Sequence, residues 1–186
     1  MGSEMCIRDS HSIIVGKNGI AYSLGGGRRG STGVALKTGW PANKKEERPL
    51  IWEQRTSGRF ATPVLFGDHL FSVSGGVITT YKAEDGSKAS EIRMPSTGSS
   101  SSRSRFGRGG RGGSDYASPI VVGKALYVTT KSGKVHVYEA KPKGKRLATN
   151  DLSEDSSGFD GTPAASDGEL FVRSNAHLYC FAKSEE

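Results

Sequence analysis

Cysteine is scarce in this sequence. Cys6 and Cys180 stand near opposite ends, which leaves neither a disulfide framework nor the close spacing that metal ligands need. Long apolar runs are missing as well: none approaches the roughly 18 residues of a membrane-spanning helix. Apolar residues do not recur at helical spacing, so long amphipathic helices are excluded. At 34% hydrophobic residues the chain is lean for a compact globule yet well above a disordered one, so something in it folds. What is abundant is glycine: 26 of 186 residues, the mark of many tight turns between short strands. Composition therefore points to a soluble, mainly β protein.

The formal charge of +7 is unevenly spread. The stretch "STGSSSSRSRFGRGGRGGSD", residues 96–115, holds seven Ser, six Gly and four Arg. It cannot bury enough apolar surface to fold alone. With its four Arg and Asp115 set aside, only +4 is left for the rest of the chain, a weak pointer to an anionic partner. Arg-Gly-Gly units beside an aromatic are used by disordered nucleic-acid binders, and Arg103, Arg105, Arg108 and Arg111 are the candidate polyanion contacts. There are two such units and only Phe106 among them, which favours a solvated inserted loop over an RNA-binding arm.

Three segments obey one grammar: "ATPVLFGDHLFSVSGGVITTYKAEDGSK" from Ala61, "ASPIVVGKALYVTTKSGKVHVYEAKPKGK" from Ala117 and "GTPAASDGELFVRSNAHLYCFAK" from Gly161. In each, a small residue and Ser/Thr-Pro (Pro63, Pro119, Pro163) open a strand, where a missing N–H is tolerated. A turn with Gly67, Gly123 or Gly168 follows. Next come an apolar-aromatic strand and a further strand ending in Tyr81, Tyr138 or Phe181. A fourth strand is expected at "KASEIRM" and "KRLATNDL". A looser copy precedes them: "SIIVGKNGIAYSLGG", "STGVALKTG" and "PLIWEQRT", with "WPANKKEER" inserted. Four units result, at about 11–56, 60–94, 116–152 and 160–183, with the insertion 96–115 and a tail 184–186. A β-sandwich would not need such repetition.

These repeats resemble the PQQ-like β-propeller family, related in fold to quinoprotein dehydrogenases and to the propeller lipoprotein of outer-membrane barrel assembly. The resemblance implies an all-β propeller of four-stranded antiparallel blades, about four of them present. It also implies an incomplete ring, the C-terminal part of a longer chain whose N-terminal blades are missing, with a periplasmic or extracellular site for the intact protein. Residues 1–10, with "SEMCIRDS", resemble adapter-derived, non-native sequence and lack the features of a signal peptide. The family's blade-locking motif, Ala-x-Asp-x-x-Thr-Gly-x-x-x-Trp, is degenerate here. "ALKTG" with Trp52 is interrupted, and "AEDG" and "AKPKG" have no Trp after them.

A quinone-dependent dehydrogenase would need a Ca²⁺ site, a catalytic Asp and often adjacent cysteines. No residue of this sequence can be assigned to those roles, so no catalytic, cofactor or metal residue is named. Asp68, Asp85 and Asp167 fall in turns, which they suit structurally. "GGGRRGST", Gly25 to Thr32, has the glycine spacing of a phosphate loop, but Ser31 takes the Lys position and no helix follows. His69, His136 and His177 read as surface strand residues, and His11 adjoins the set-aside terminus. The sequence thus points to a non-catalytic binding or scaffold propeller with protein partners. The alternatives are a fragment of a quinoprotein-like oxidoreductase and weak polyanion binding through the Arg-Gly-rich loop. An open arc would expose two sheet flanks and self-associate.

Overall fold

The computed structural model describes residues 12–27, 30–39, 49–58, 60–95 and 116–182. Every regular element among them is a β-strand. The first sheet comprises β1 (Ile14–Val15), β2 (Ile20–Gly27), β3 (Gly30–Lys37) and β4 (Leu50–Thr56). The second comprises β5 (Val64–Phe66), β6 (His69–Ser74), β7 (Val77–Lys82) and β8 (Lys88–Arg93). The third comprises β9 (Ile120–Val122), β10 (Ala125–Thr129), β11 (Lys134–Glu139) and β12 (Arg146–Asp151). The fourth has three strands: β13 (Ala164–Ser166), β14 (Glu169–Arg173) and β15 (Leu178–Phe181). Within each sheet, strands pair antiparallel in chain order, and no pairing joins the fourth sheet to the first. This is the propeller blade plan, laid out as an incomplete ring.

Local chemistry explains the strands. Gly67, Gly123 and Gly168 take positive φ in the turn between the first and second strands of their blades, a conformation that costs glycine little. Alternation then gives each blade two faces. Tyr22, Leu24, Ala35 and Trp52 of the first blade meet Leu70, Tyr81 and Ala83 of the second. The opposite face of the second blade, with Phe71, Val73 and Ile78, meets Leu126, Val128 and Tyr138 of the third. Val135 of the third joins Val172 of the fourth around Phe159, which lies in the connection between the two blades. The hydrophobic core is therefore three separate seams, each shared by neighbouring blades.

Two expectations are corrected. His136 is not a surface residue: it is buried on the second blade's side of β11, its Nδ1 3.0 Å from Thr149 Oγ1. The blade lock is not degenerate at the first junction. Trp52 donates its indole N–H to the Ala83 carbonyl at 2.9 Å, so "AEDG" is locked by the Trp of the preceding blade. In register, Ser90 of β8 takes the place of Trp52, and its hydroxyl accepts the N–H of Lys143 at 3.1 Å. Ala148 of β12 holds the place in the third blade and is exposed.

Candidate binding surface

The first strands of successive blades line the ring axis, and β5 lies against β9. Just before each of the first three a Ser or Thr donates the same bond to its counterpart in the next blade. Ser12 N–H donates to Thr62 Oγ1 at 3.0 Å, Thr62 N–H to Ser118 Oγ at 2.9 Å, and Ser118 N–H to Thr162 Oγ1 at 3.1 Å. The partners are 50, 56 and 44 residues apart. A directional relay of backbone donors and side-chain hydroxyls thus ties all four blades at one level. At Thr62, Ser118 and Thr162 the sequence reading explained only the proline that follows. The signal was the hydroxyl residue two positions before each first strand.

The outer side of the arc is shaped by β12. All but one of its residues are exposed, Leu147 among them at 57%, and its outer edge carries no further strand among the described residues. At its foot lies a recess of about 440 Å³ lined by Pro95, Lys134, His136, Arg146, Leu147 and Thr149. Lys134 bridges Asp151 at 3.3 Å, leaving Arg146 as the exposed cation of the recess. The Lys134 contact adds to hydrogen bonds from Ser153, which chiefly hold the Asp151 carboxyl below its ordinary pKa. The recess lining includes a hydroxyl beside an imidazole, Thr149 Oγ1 3.0 Å from His136 Nδ1.

The carboxylates have structural employment. Asp85 accepts the Ser87 N–H at 2.8 Å, and Ser87 lowers its pKa. Asp155 is held well below the carboxylate range by the Ser174 hydroxyl first, then by Ser157, and it also accepts the Tyr179 hydroxyl at 2.8 Å. Glu139 is lowered by the Lys145 N–H and by Lys141. Among the described residues no three of His, Cys, Asp and Glu cluster as a metal would need. Gly25 and Thr32 are cross-strand neighbours of the β2–β3 hairpin, so the glycine run there forms a strand end. Asp68 and Asp167 both lie in turns, with Asp167 at φ 51°. His69 is half-buried on β6, and His177 is exposed. Arg103, Arg105, Arg108 and Arg111 lie outside the described residues. No described helix is long and apolar enough to cross a membrane.

Comparison with known proteins agrees on the fold. No family model and no curated protein matches the sequence. Among solved structures, BamB from Moraxella catarrhalis is similar over 92% of this chain and 49% of its own, at TM-score 0.66 and 17% identity. A quinohemoprotein alcohol dehydrogenase from Pseudomonas putida HK5 is similar over 88% of this chain and 28% of its own, at TM-score 0.58 and 15% identity. The computationally designed Ika4 protein is similar over 99% of this chain and all of its own, at TM-score 0.61 and 12% identity. The chain thus has the β-propeller fold of BamB and of the quinoprotein dehydrogenases, and it spans about half of the former and under a third of the latter.

Proposed function

We propose that the protein is a non-catalytic propeller scaffold whose partners are proteins, with β12 and the recess at its foot as the contact surface. The observation that carries this reading is the open outer edge of β12 beside the exposed Leu147 and Arg146. An unpaired strand edge offers backbone donors and acceptors, and the neighbouring side chains supply specificity, which together suit a protein segment. The likeness to BamB supports the scaffold reading at the level of fold.

The test is a photo-crosslinking side chain placed at Leu147, with one at Lys124 on the axial turn as control, in cells that express the natural protein. A discrete protein adduct at 147 that is absent at 124 and lost on Arg146→Glu supports the reading. Equal labelling at both positions overturns it. The likeness to a quinohemoprotein dehydrogenase motivates one competing reading, an oxidoreductase part. The scaffold reading expects no saturable PQQ binding with or without Ca²⁺, and a stoichiometric calorimetric isotherm would establish the competitor.

A further inference from the structure

Cations gather at the end of β12 where Arg146 stands. The turn that leads into it, Glu139 to Arg146, holds Lys141, Lys143 and Lys145 against Glu139 alone. The β9–β10 turn lies beside it, since Ala140 donates its N–H to the Lys124 carbonyl at 2.8 Å. Lys124, Lys141, Lys143, Lys145 and Arg146 are all exposed. Glu139 is already engaged: it bridges Lys141 at 2.9 Å and accepts the Lys145 N–H at 3.0 Å. On neighbouring β8, Glu91 is held by Lys88 at 3.1 Å. The propeller fold does not require these cations. In the second blade Asp68 stands in the place of Lys124, and Glu84 and Asp85 follow Ala83 where Lys141 and Pro142 follow Ala140. The same backbone bond ties both pairs of turns, Ala83 N–H to Asp68 and Ala140 N–H to Lys124. One scaffold thus carries opposite charge in adjacent blades.

Lys143 is also an unfavourable residue for its backbone. Gly144 donates its N–H to the Lys141 carbonyl at 2.9 Å, closing a turn with Pro142 and Lys143 at its centre. Lys143 has a φ of 55°, in the left-handed region, at a turn position that ordinarily takes Gly or Asn. The shorter turn of the second blade uses Gly86 at 71° for its positive φ. An exposed lysine kept in a conformation that suits glycine points to a use outside the fold.

We propose that the protein segment received by β12 is acidic, an extended strand whose carboxylates lie over Lys143, Lys145 and Arg146 while an apolar side chain covers Leu147. The inference rests on the reading of β12 as the contact surface and adds the partner's charge and direction. Charge along the edge is graded: Arg146 stands at one end, and Asp151, with Glu154 just beyond, at the other. Carboxylates are disfavoured beside Asp151 and Glu154, so the acidic end of the segment is fixed beside Arg146. Lysines are point charges on flexible stems and meet carboxylates in many geometries. No aromatic residue lies between Glu139 and Asp151, so the base-stacking platform of a single-stranded nucleic-acid site is absent there. The backbone groups of an open strand edge are matched by another strand and not by a lipid surface.

The experiment is fluorescence anisotropy on the full chain with a labelled synthetic peptide of alternating valine and threonine that ends in two glutamates. Controls are the same peptide with glutamines, oligouridylate, and vesicles of phosphatidylglycerol and phosphatidylcholine. The glutamate peptide should bind. Its dissociation constant should rise about tenfold on Glu-to-Gln exchange in the peptide or on Lys143→Glu with Lys145→Glu in the protein. Lys143→Gly should weaken binding about threefold while the melting temperature stays level or rises, because glycine suits the positive φ. A purely structural lysine would not separate those two readouts. Equal binding of the glutamine peptide, no binding of the glutamate peptide, or lysine-dependent retention of oligouridylate or vesicles in preference to it would overturn the proposal. Leu147→Ser tells the two readings apart. Glutamate-peptide binding that ignores Leu147→Ser counts against β12 as the contact surface, and glutamine-peptide binding that needs Leu147 but not the lysines keeps β12 and overturns the acidic partner.

Discussion

Gly86 lies so close beneath Trp52 that a methyl group on its Cα would stand 2.6 Å from the indole ring. Its φ of +71° adds a second reason for glycine, since side chains disfavour the left-handed region. Gly86→Ala should therefore displace the indole from the Ala83 carbonyl and lower the melting temperature. Trp52→Ala should cost about 3–5 kcal/mol, the range for removing a large buried aromatic. Trp52→Phe should fall between wild type and alanine, since it keeps most of the ring and loses the N–H donor. Calorimetry on the three variants checks the order, and a Gly86→Ala protein as stable as wild type would show that the lock bears little weight.

The relay at the axis predicts a smaller effect. Thr62→Val keeps the branched shape and removes the acceptor for Ser12 N–H, while Thr62 N–H still reaches Ser118. The expected cost is about 0.5–1.5 kcal/mol in chemical denaturation, one hydrogen bond's net worth. Thr62→Ser should be close to wild type. Equal losses for valine and serine would locate the effect in packing and not in the hydroxyl.

Acid should weaken the fold in a defined window. Asp85, Glu139, Asp151 and Asp155 all have carboxyl pKa values below their ordinary range in the folded chain. A depressed folded-state pKa contributes stability that is present above the unfolded value, near 4, and is lost as pH falls toward the folded value. The melting temperature should be flat from about pH 7 to 5 and decline below about pH 4. Asp155→Asn should flatten that acid limb most, because Asp155 is the most depressed of the four and also holds Tyr179. An unchanged acid limb in that variant would assign the decline to the other carboxylates.

The residues on either side of the Ser/Gly/Arg stretch are held by contacts of their own. Met94 donates its N–H to Gly76 at 2.9 Å, Ala117 is buried, and Tyr116 packs on Phe60 at 5.1 Å between ring centres. Replacing 99–113 with a short Gly-Ser linker should leave the circular dichroism spectrum and melting point nearly unchanged, since loop closure costs only about 0.6 kcal/mol per doubling of length. If the four arginines contact polyanion, the same change should abolish low-salt retention of RNA. Absence of retention in the parent removes that reading altogether.

The strands were legible because their cues are local. Alternation in "HLFSVS" and "KVHVYEA", with proline before and glycine after the first strand, marks each blade within a few residues. The Trp52 lock was obscured because the motif was read along one blade, while its acceptor sits 31 residues on, in the next. The hydroxyl relay is built from pairs 44 to 56 residues apart, a distance at which sequence carries no contact information without the ring. The burial of His136 escaped for a similar reason: its strand pattern is ordinary, and the neighbouring blade is what covers it. Phe159 sits in a connection without periodicity, so nothing local distinguished it from loop.

The strict chain-order pairing of strands within every sheet sets how this molecule comes apart. A strand pairs only with its neighbours in sequence, and a blade packs only on the blades beside it, so the energetics reduce to those of a one-dimensional array. In such an array the interior modules protect one another while the outermost ones fray. Amide exchange should therefore grade from slow in the two middle blades to fast at β15, with local opening starting at the outer blades of the array.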